Sequence, residues 1–476
     1  MIEAQQSRGG RERPFILTPL IVACALFMEN LDSTIIATSL PAIAEDLHQD
    51  PIALKLALTS YLLAQAVFIP ASGWVADRFG TKRVFGAAIV TFTIGSILCG
   101  FSSTLSQFVA ARIVQGCGAA MMTPVGRLTL YRSVERSEIV RAMAYLTIPA
   151  LVGPILGPPL GGFISTYLHW RWNFWINVPV GVVGVILSTL YIPDIRNEDV
   201  APFDAFGFAL SGLGLSSVIF GLTVLGRGFL PSGPNFALVA AGLVLVGFYV
   251  RHALRVPNPI LDLRLLRIRS FWASVVGGFL FRIGVGATPF LLPLLFQLGF
   301  GMTPFQSGLT TFVATAGALL MKTTAASVLS RFGFRATLIF NALISAAFLF
   351  ANGWFRPETP QMVLLIVLFV GGFFRSLEFT ALNALAYADI TPADMSRATS
   401  LSAVGQQLSI SSGVAIAAAV VEATRELSPG GELGFSDFPP AFFVVAAITA
   451  ASALIFTRLP KDAGAALSGH RPPGQA

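Results

Sequence analysis

Two carboxylates interrupt an otherwise apolar stretch near the start of the chain. Glu29 and Asp32 lie in FMENLDSTIIATSLPAIA, residues 27–44, three residues apart, and that spacing puts both on one helical face. A carboxylate in hydrocarbon is costly and marks a functional site by default. Desolvation favours the neutral form of a carboxyl, so such a group can load and release a proton near neutral pH. The opposing reading is a structural one, in which either acid pairs with Arg112 or Arg282 and never titrates. Arg112 opens a second such run, RIVQGCGAAMMTP at 112–124. A buried guanidinium keeps its proton and must find a carboxylate or carbonyls. Gln115, Gly116 and Gly118 follow it, the glycines allowing close helix approach. Arg282, Lys322, Arg375 and Glu378 interrupt later runs, and Arg375 and Glu378, three apart, form a candidate ion pair. Gln115, Arg282, Arg375, Glu378, Gln406 and Gln407 are candidates to line a substrate path.

Two further strings carry backbone rather than side-chain chemistry. GWVADRFGTKRVF, residues 73–85, places Gly73 and Gly80 at the ends of a tight inter-helix loop, where glycine lets the backbone turn. Asp77 between them can cap helix amides or pair with an arginine of a neighbouring helix. Arg78, Lys82 and Arg83 add positive charge. ALVGPILGPPLGGFI, residues 150–164, repeats small residues every four positions: Gly153-Pro154, Gly157-Pro158, Gly161-Gly162. That spacing cuts a groove along one helix face, with kinks expected at the prolines; a generic packing seam explains the glycines equally well.

The elements that must position these residues are membrane helices. Of the 476 residues, 54% are hydrophobic and 12% charged, about half the charged share of a soluble domain. Runs of roughly 20 apolar residues, the length a spanning helix needs, fall at 16–40, 52–74, 84–102, 106–129, 139–165 and 173–192. Others fall at 204–225 and 235–253, then at 271–297, 303–326, 336–354, 361–385, 398–423 and 440–457. The expectation is an all-α polytopic protein with fourteen spans. If residues 1–15 are cytoplasmic, 22 of the 31 basic residues lie in connections on that side and 5 on the other. Such a bias sets orientation and places both termini in the cytoplasm. ADRFGTKRV after the second span is echoed by LSRFGFRAT after the tenth, with Arg78-Phe79-Gly80 matching Arg331-Phe332-Gly333. The repeat divides the chain into a six-helix bundle at 16–192, two inserted helices at 204–253, a second bundle at 270–458 and a polar, disordered tail at 459–476. Trp170, Trp172 and Trp175 read as an interfacial belt.

The net charge of +7 sits in short gaps between apolar runs, with no basic soluble face for nucleic acid. Cys24, Cys99 and Cys117 lie inside apolar runs without metal-ligand spacing and read as small buried residues. No P-loop, GxSxG elbow or HExxH pair is present, so neither ATP nor hydrolytic chemistry is implied, and no cofactor is expected.

The loop string at 73–85 resembles the signature Gly-x-x-x-Asp-Arg-x-Gly-x-Lys/Arg-Lys/Arg that follows the second span in the major facilitator superfamily. Leu-Asp-x-Thr-Ile-Ile-x-x-x-Leu-Pro, starting at Leu31, resembles the first-span signature of the fourteen-span drug:proton antiporters within it. The fourth-span string resembles a motif whose arginine is linked to proton transfer. The fifth-span string resembles the antiporter motif. The resemblance implies a major facilitator fold in the plasma membrane and proton-coupled export of small lipophilic compounds by alternating access. Asp32, on the signature Asp, and Arg112 would be coupling residues, with Glu29 an additional acid that can share the proton role, and residues 73–85 a gating loop. Export of one endogenous metabolite on the same fold remains open, as does an adaptor across a second membrane; a membrane-embedded sensor or enzyme is the reading from a different class.

Overall fold

The computed structural model describes residues 17–133, 139–196, 202–224, 232–391, 394–427 and 433–469. The N-terminal segment, Arg136, Arg227 and Arg471 lie outside them. The described residues form helices and connections, with no strand. The first bundle holds α1 (Leu17–Asp46), α2 (Lys55–Phe79), α3 (Thr81–Phe101), α4 (Leu105–Ser133), α5 (Ile139–Tyr167), the short α6 (Trp172–Trp175) and α7 (Asn177–Tyr191). Between these and the helices that follow come α8 (Ala205–Val224) and α9 (Ser232–Ala253). The second bundle holds α10 (Arg269–Trp272), α11 (Gly278–Leu294), α12 (Pro304–Asn352), α13 (Gln361–Ala386), α14 (Met395–Leu427) and α15 (Pro439–Phe456), closed by a turn, α16 (Ala465–Ser468).

Among the described residues, twelve helical stretches are long and apolar enough to cross a membrane. One of them, α12, has 49 residues, about 74 Å if straight, more than twice a bilayer's hydrocarbon core. It is broken at Gly333, whose φ of 72° and ψ of 167° are non-helical. Gly80, between α2 and α3, has φ 93° and ψ 139°. The two glycines are 253 residues apart and turn the chain in the same way, so the sequence repeat has a structural counterpart. At both, the left-handed backbone favours glycine. A Cβ at Gly80 would also strike Asp194 and Arg196 of the segment after α7.

The same shift maps α2 onto the first part of α12, and α5 onto α14. The contacts between the bundles follow this: α2 packs on α14, α5 packs on α12, and α1 meets α11 between them. The α5 seam is real. Cβ atoms at Gly153, Gly157 and Gly161 would collide with Phe27, Leu31, Thr34, Ile35 and Thr38 of α1. Gly162 instead faces the second bundle, against Pro304 and Phe305, and Gly308 returns the contact against Pro158. Pro154, Pro158 and Pro159 all lie within the one helix α5.

Several expectations need correction. Gly73 is inside α2 with open space where a Cβ would stand, so only Gly80 serves as a turn residue in that motif. Of the three tryptophans, Trp172 is exposed, but Trp170 is buried and donates its Nε1–H to Asp46 (3.1 Å), and Trp175 packs against Gly100. Cys24 is exposed rather than buried. The start of the polar tail is ordered: Gly464 sits against the Phe334 ring at φ 68°.

Candidate functional site

The two acids on α1 face different surroundings. Asp32 is 0% exposed and Arg112, on α4, 1%. Arg112 Nη1 donates to Asp32 Oδ2 at 2.7 Å. Asp32 Oδ1 accepts from Gln115 Nε2 (2.7 Å) and from Asn177 Nδ2 of α7 (3.1 Å). Arg112 also donates to Gln115 Oε1 (2.6 Å), and its guanidinium stands 4.0 Å over the Tyr61 ring of α2. Ser96 of α3 accepts from Gln115 (3.3 Å) and Asn177 (2.9 Å) and donates to the Phe174 carbonyl (2.9 Å). Five helices of one bundle thus converge on a pair whose charges compensate. A buried pair with its remaining valences hydrogen-bonded is the arrangement that makes two charges tolerable away from water.

Glu29 is one turn away, partly buried, and has no cation within ion-pair distance among the described residues. Thr123 Oγ1 of α4 donates to its Oε2 (2.7 Å), and Gln65 Nε2 of α2 donates to its Oε1 (3.1 Å). Gln65 reaches further. Its Nε2 lies 3.3 Å from the Tyr61 hydroxyl, and its Oε1 accepts from Gln407 Nε2 of α14 at 2.8 Å. The chain Thr123–Glu29–Gln65–Gln407 therefore crosses from the first bundle to the second at the level of the α1 acids.

The remaining inter-bundle polar contacts cluster at the end of the molecule that carries Asp50. Lys55 Nζ is 3.2 Å from Glu422 Oε2, with the lysine side chain fully buried, and Asp50 pairs with Arg425. Gln297 donates to the Thr38 carbonyl (2.9 Å), and the Phe305 amide donates to Thr166 Oγ1 (3.0 Å). One continuous apolar cluster, including Ile43 and Leu54 of the first bundle and Phe296 and Phe442 of the second, seals the same end. At the opposite end, Asp77 pairs with Arg132 of α4 at 2.5 Å, within its own bundle. Arg83 reaches Asp194 at 3.7 Å.

In the second bundle, Arg375 and Glu378 do not pair. Glu378 accepts from Asn341 (3.0 Å), Arg282 donates to Asn383 (3.1 Å), and Arg375 lines a small cavity. Gln406 is half-buried beside Gln407 on α14 but makes no inter-bundle bond. Sequence reasoning missed Gln65, Asn177, Ser96 and Thr123. Gln65 and Asn177 were visible as amides inside apolar runs; the two end locks were not, because each pairs residues more than 360 positions apart.

A family model described as Major Facilitator Superfamily matches residues 22–252 and 274–474. A protein of Citrobacter koseri named provisionally as multidrug resistance protein MdtD is 38% identical over 451 residues, covering 93% of this chain and 94% of the relative. One of Serratia proteamaculans with the same name is 38% identical over 450 residues, covering 93% of each. The solved D-xylose-proton symporter superposes with a TM-score of 0.67 at 15% identity, over 94% of this chain and 98% of that one. The human organic anion transporter MFSD10 superposes with a TM-score of 0.60 at 14% identity, over 94% of this chain and all of that one. With its two repeated bundles and a polar site between them, the chain belongs to the Major Facilitator Superfamily of membrane transporters.

Proposed function

We propose that this transporter is a proton-coupled exporter of small lipophilic compounds, working by alternating access, with Glu29 as its main proton carrier. The observation that carries the reading is the hydrogen-bond chain from Glu29 through Gln65 to Gln407. It ties an acid with no ion-pair partner among the described residues to the interface between the bundles. The multidrug-resistance name of relatives matching over nearly the whole chain supports the cargo class. Asp32, with Arg112, Gln115 and Asn177, is the fixed electrostatic frame against which α1 is held. Either acid could have been the carrier by sequence; the Asp32–Arg112 ion pair supports giving that work to Glu29.

The proposed topology has fourteen spans. Splitting α12 at Gly333 and counting the 29-residue α5 raises the twelve stretches to fourteen. An even count puts both termini at the Gly80 end, which the basic connections make cytoplasmic. The domains are then 16–192, 204–253 and 270–458, in the inner (plasma) membrane. The Asp50 end faces outward and is the closed end, and Lys55–Glu422 and Asp50–Arg425 are its locks. Asp77, Arg78, Gly80, Lys82 and Arg83 form the cytoplasmic gating loop, and Gly153, Pro154, Gly157, Pro158, Gly161 and Gly162 the α5 seam.

The test is substrate accumulation in inverted vesicles across a panel of unrelated lipophilic cations and neutral drugs, with and without an imposed pH gradient. Gradient-dependent uptake of several panel members supports the reading; uptake insensitive to the gradient overturns it.

A further inference from the structure

Inside the second bundle, apart from the inter-bundle interface, α11, α12 and α13 enclose a column of polar side chains. Asn352, Ser345 and Asn341 follow one face of α12 after Gly333. Arg375 and Glu378 lie a turn apart on α13, and Arg282 enters from α11. At the head of the column is a cavity of about 30 Å³, lined by Arg375, Ser345, Asn352, Thr288 and Thr449 among apolar residues. A polar cavity of that size admits water.

Glu378 is 0% exposed. Its Oε2 accepts from Asn341 Nδ2 at 3.0 Å, and the same amide donates to the Phe374 carbonyl at 2.8 Å. Among the described residues its Oε1 has no partner, and neither do Asn341 Oδ1, Ser345 Oγ or Arg282 Nε. Every neighbouring charge is committed or distant. Arg282 stays outside ion-pair distance of Glu378, held by Asn383 and lying 5.3 Å over the Phe379 ring. Lys322 of α12 donates to Thr380 (2.9 Å). Arg375 on its own helix faces the cavity. Tyr387 at the end of α13, Arg331 and Arg335 of α12, and Arg269 of α10 make no bond to it, and α15 carries no titratable side chain.

A carboxylate removed from water with one hydrogen bond and no ion pair is an unfavourable species. Its neutral form supplies an O–H that can be donated to the facing helix, where Asn341 Oδ1 and Ser345 Oγ are unpartnered atoms able to accept. We propose that Glu378 is a second proton-binding site, held inside the C-terminal bundle, reached through the cavity beside Arg375, and separate from the Glu29 site. The ligand is a single proton, taken from water onto Oε1 and returned to water when the bundle rearranges. Only its contribution to the transport stoichiometry rests on the function proposed above; proton binding itself does not.

The experiment is infrared spectroscopy of the full chain reconstituted in lipid, titrated with pH in H2O and D2O. A buried protonated carboxyl gives a carbonyl band that shifts in D2O and disappears as the group ionises. The expected result is such a band in the wild type, lost in Glu378→Gln and retained in Glu29→Gln. If Glu378→Gln does not fold, Glu378→Asp must move the band, and Asn341→Ala, which removes the one donor to the anion, must extend it to higher pH. A spectrum unaltered by all of these substitutions overturns the proposal, because Glu378 is then ionised throughout. A Glu378 band in a protein whose transport ignores the pH gradient keeps this site and sinks the antiport reading; gradient-driven transport with no Glu378 band sinks this site alone.

Discussion

Asp32→Asn separates a structural acid from a coupling acid. Three donors converge on the Asp32 carboxylate: Arg112 Nη1 on one oxygen, and the Gln115 and Asn177 amides on the other. An asparagine offers one oxygen and one NH2. If the oxygen faces the two amides, the NH2 meets the guanidinium donor; if it faces Arg112, the NH2 meets two other donors. In both orientations Arg112 keeps its charge at 1% exposure without a counter-charge. Breaking a buried pair in this way costs about 3–5 kcal/mol, on the order of 3–5 °C in apparent melting temperature for a chain of this length. The assay is thermal unfolding of purified protein in detergent beside gradient-driven transport in vesicles. Asp32→Asn should lose stability and yield together, and the Asp32→Asn, Arg112→Gln double mutant should recover more than half of the lost stability, since coupled sites are non-additive. Glu29→Gln, whose amide can still accept from Gln65 or Thr123, should melt within about 1 kcal/mol of wild type and yet lose accumulation driven by the pH gradient. Wild-type melting of Asp32→Asn with selective loss of coupling would refute the assignment and make Asp32 the toggling acid.

Other outcomes follow from single contacts. Lys55→Glu should open the Asp50 end and abolish transport, and adding Glu422→Lys should restore part of it, read by transport rate and by cysteine accessibility at that end. Asp77→Asn removes the charge that holds Arg132 at 2.5 Å and should cripple turnover with normal amounts of protein in the membrane; normal kinetics would remove the gating role. Gly157→Leu and Gly162→Leu should differ: the first intrudes on Thr34 within one bundle and lowers melting temperature, whereas the second intrudes on Pro304 across the bundles and slows transport at near-normal stability.

The fold was largely legible because its cause is local. Runs of apolar residues the length of a bilayer have one stable conformation in lipid, and their boundaries fall within a few residues of α1 to α4. The Gly80 turn could be read because a left-handed backbone demands glycine, and its twin at Gly333 appeared through the repeat. The site was legible by composition and not by partner. Glu29 and Asp32 share a helix face, yet the side chains they meet come from α2, α4 and α7, whose rotation about their own axes the pattern does not fix. Arg375 and Glu378 show the same limit: a spacing of three permits an ion pair, and the cavity beside Arg375 and the Asn341 amide drew them apart.

The Glu29 chain also sets how much coupling one proton can supply. With Glu29 ionised, the bond from Gln65 is charge-assisted, roughly twice as strong as its neutral counterpart. Net contributions of about 1.5–3 against 0.5–1.5 kcal/mol leave a difference of about 1–1.5 kcal/mol on protonation. Gln65 holds Gln407 through its other end, so this difference acts on the contact between the bundles and biases it by about tenfold. Moving a carrier from 1:99 to 99:1 needs about 5.5 kcal/mol. On the proposed assignment, the proton at Glu29 would account for about a quarter of a full switch. The balance has to come from the substrate's differential affinity for the two states, and from opening or closing the buried Lys55–Glu422 pair at the far end. That division explains why the inter-bundle bond in the middle is a single amide pair while the closed end carries two ion pairs and a continuous apolar seal: the centre has to respond to one charge, and the end has to hold until substrate and proton act together.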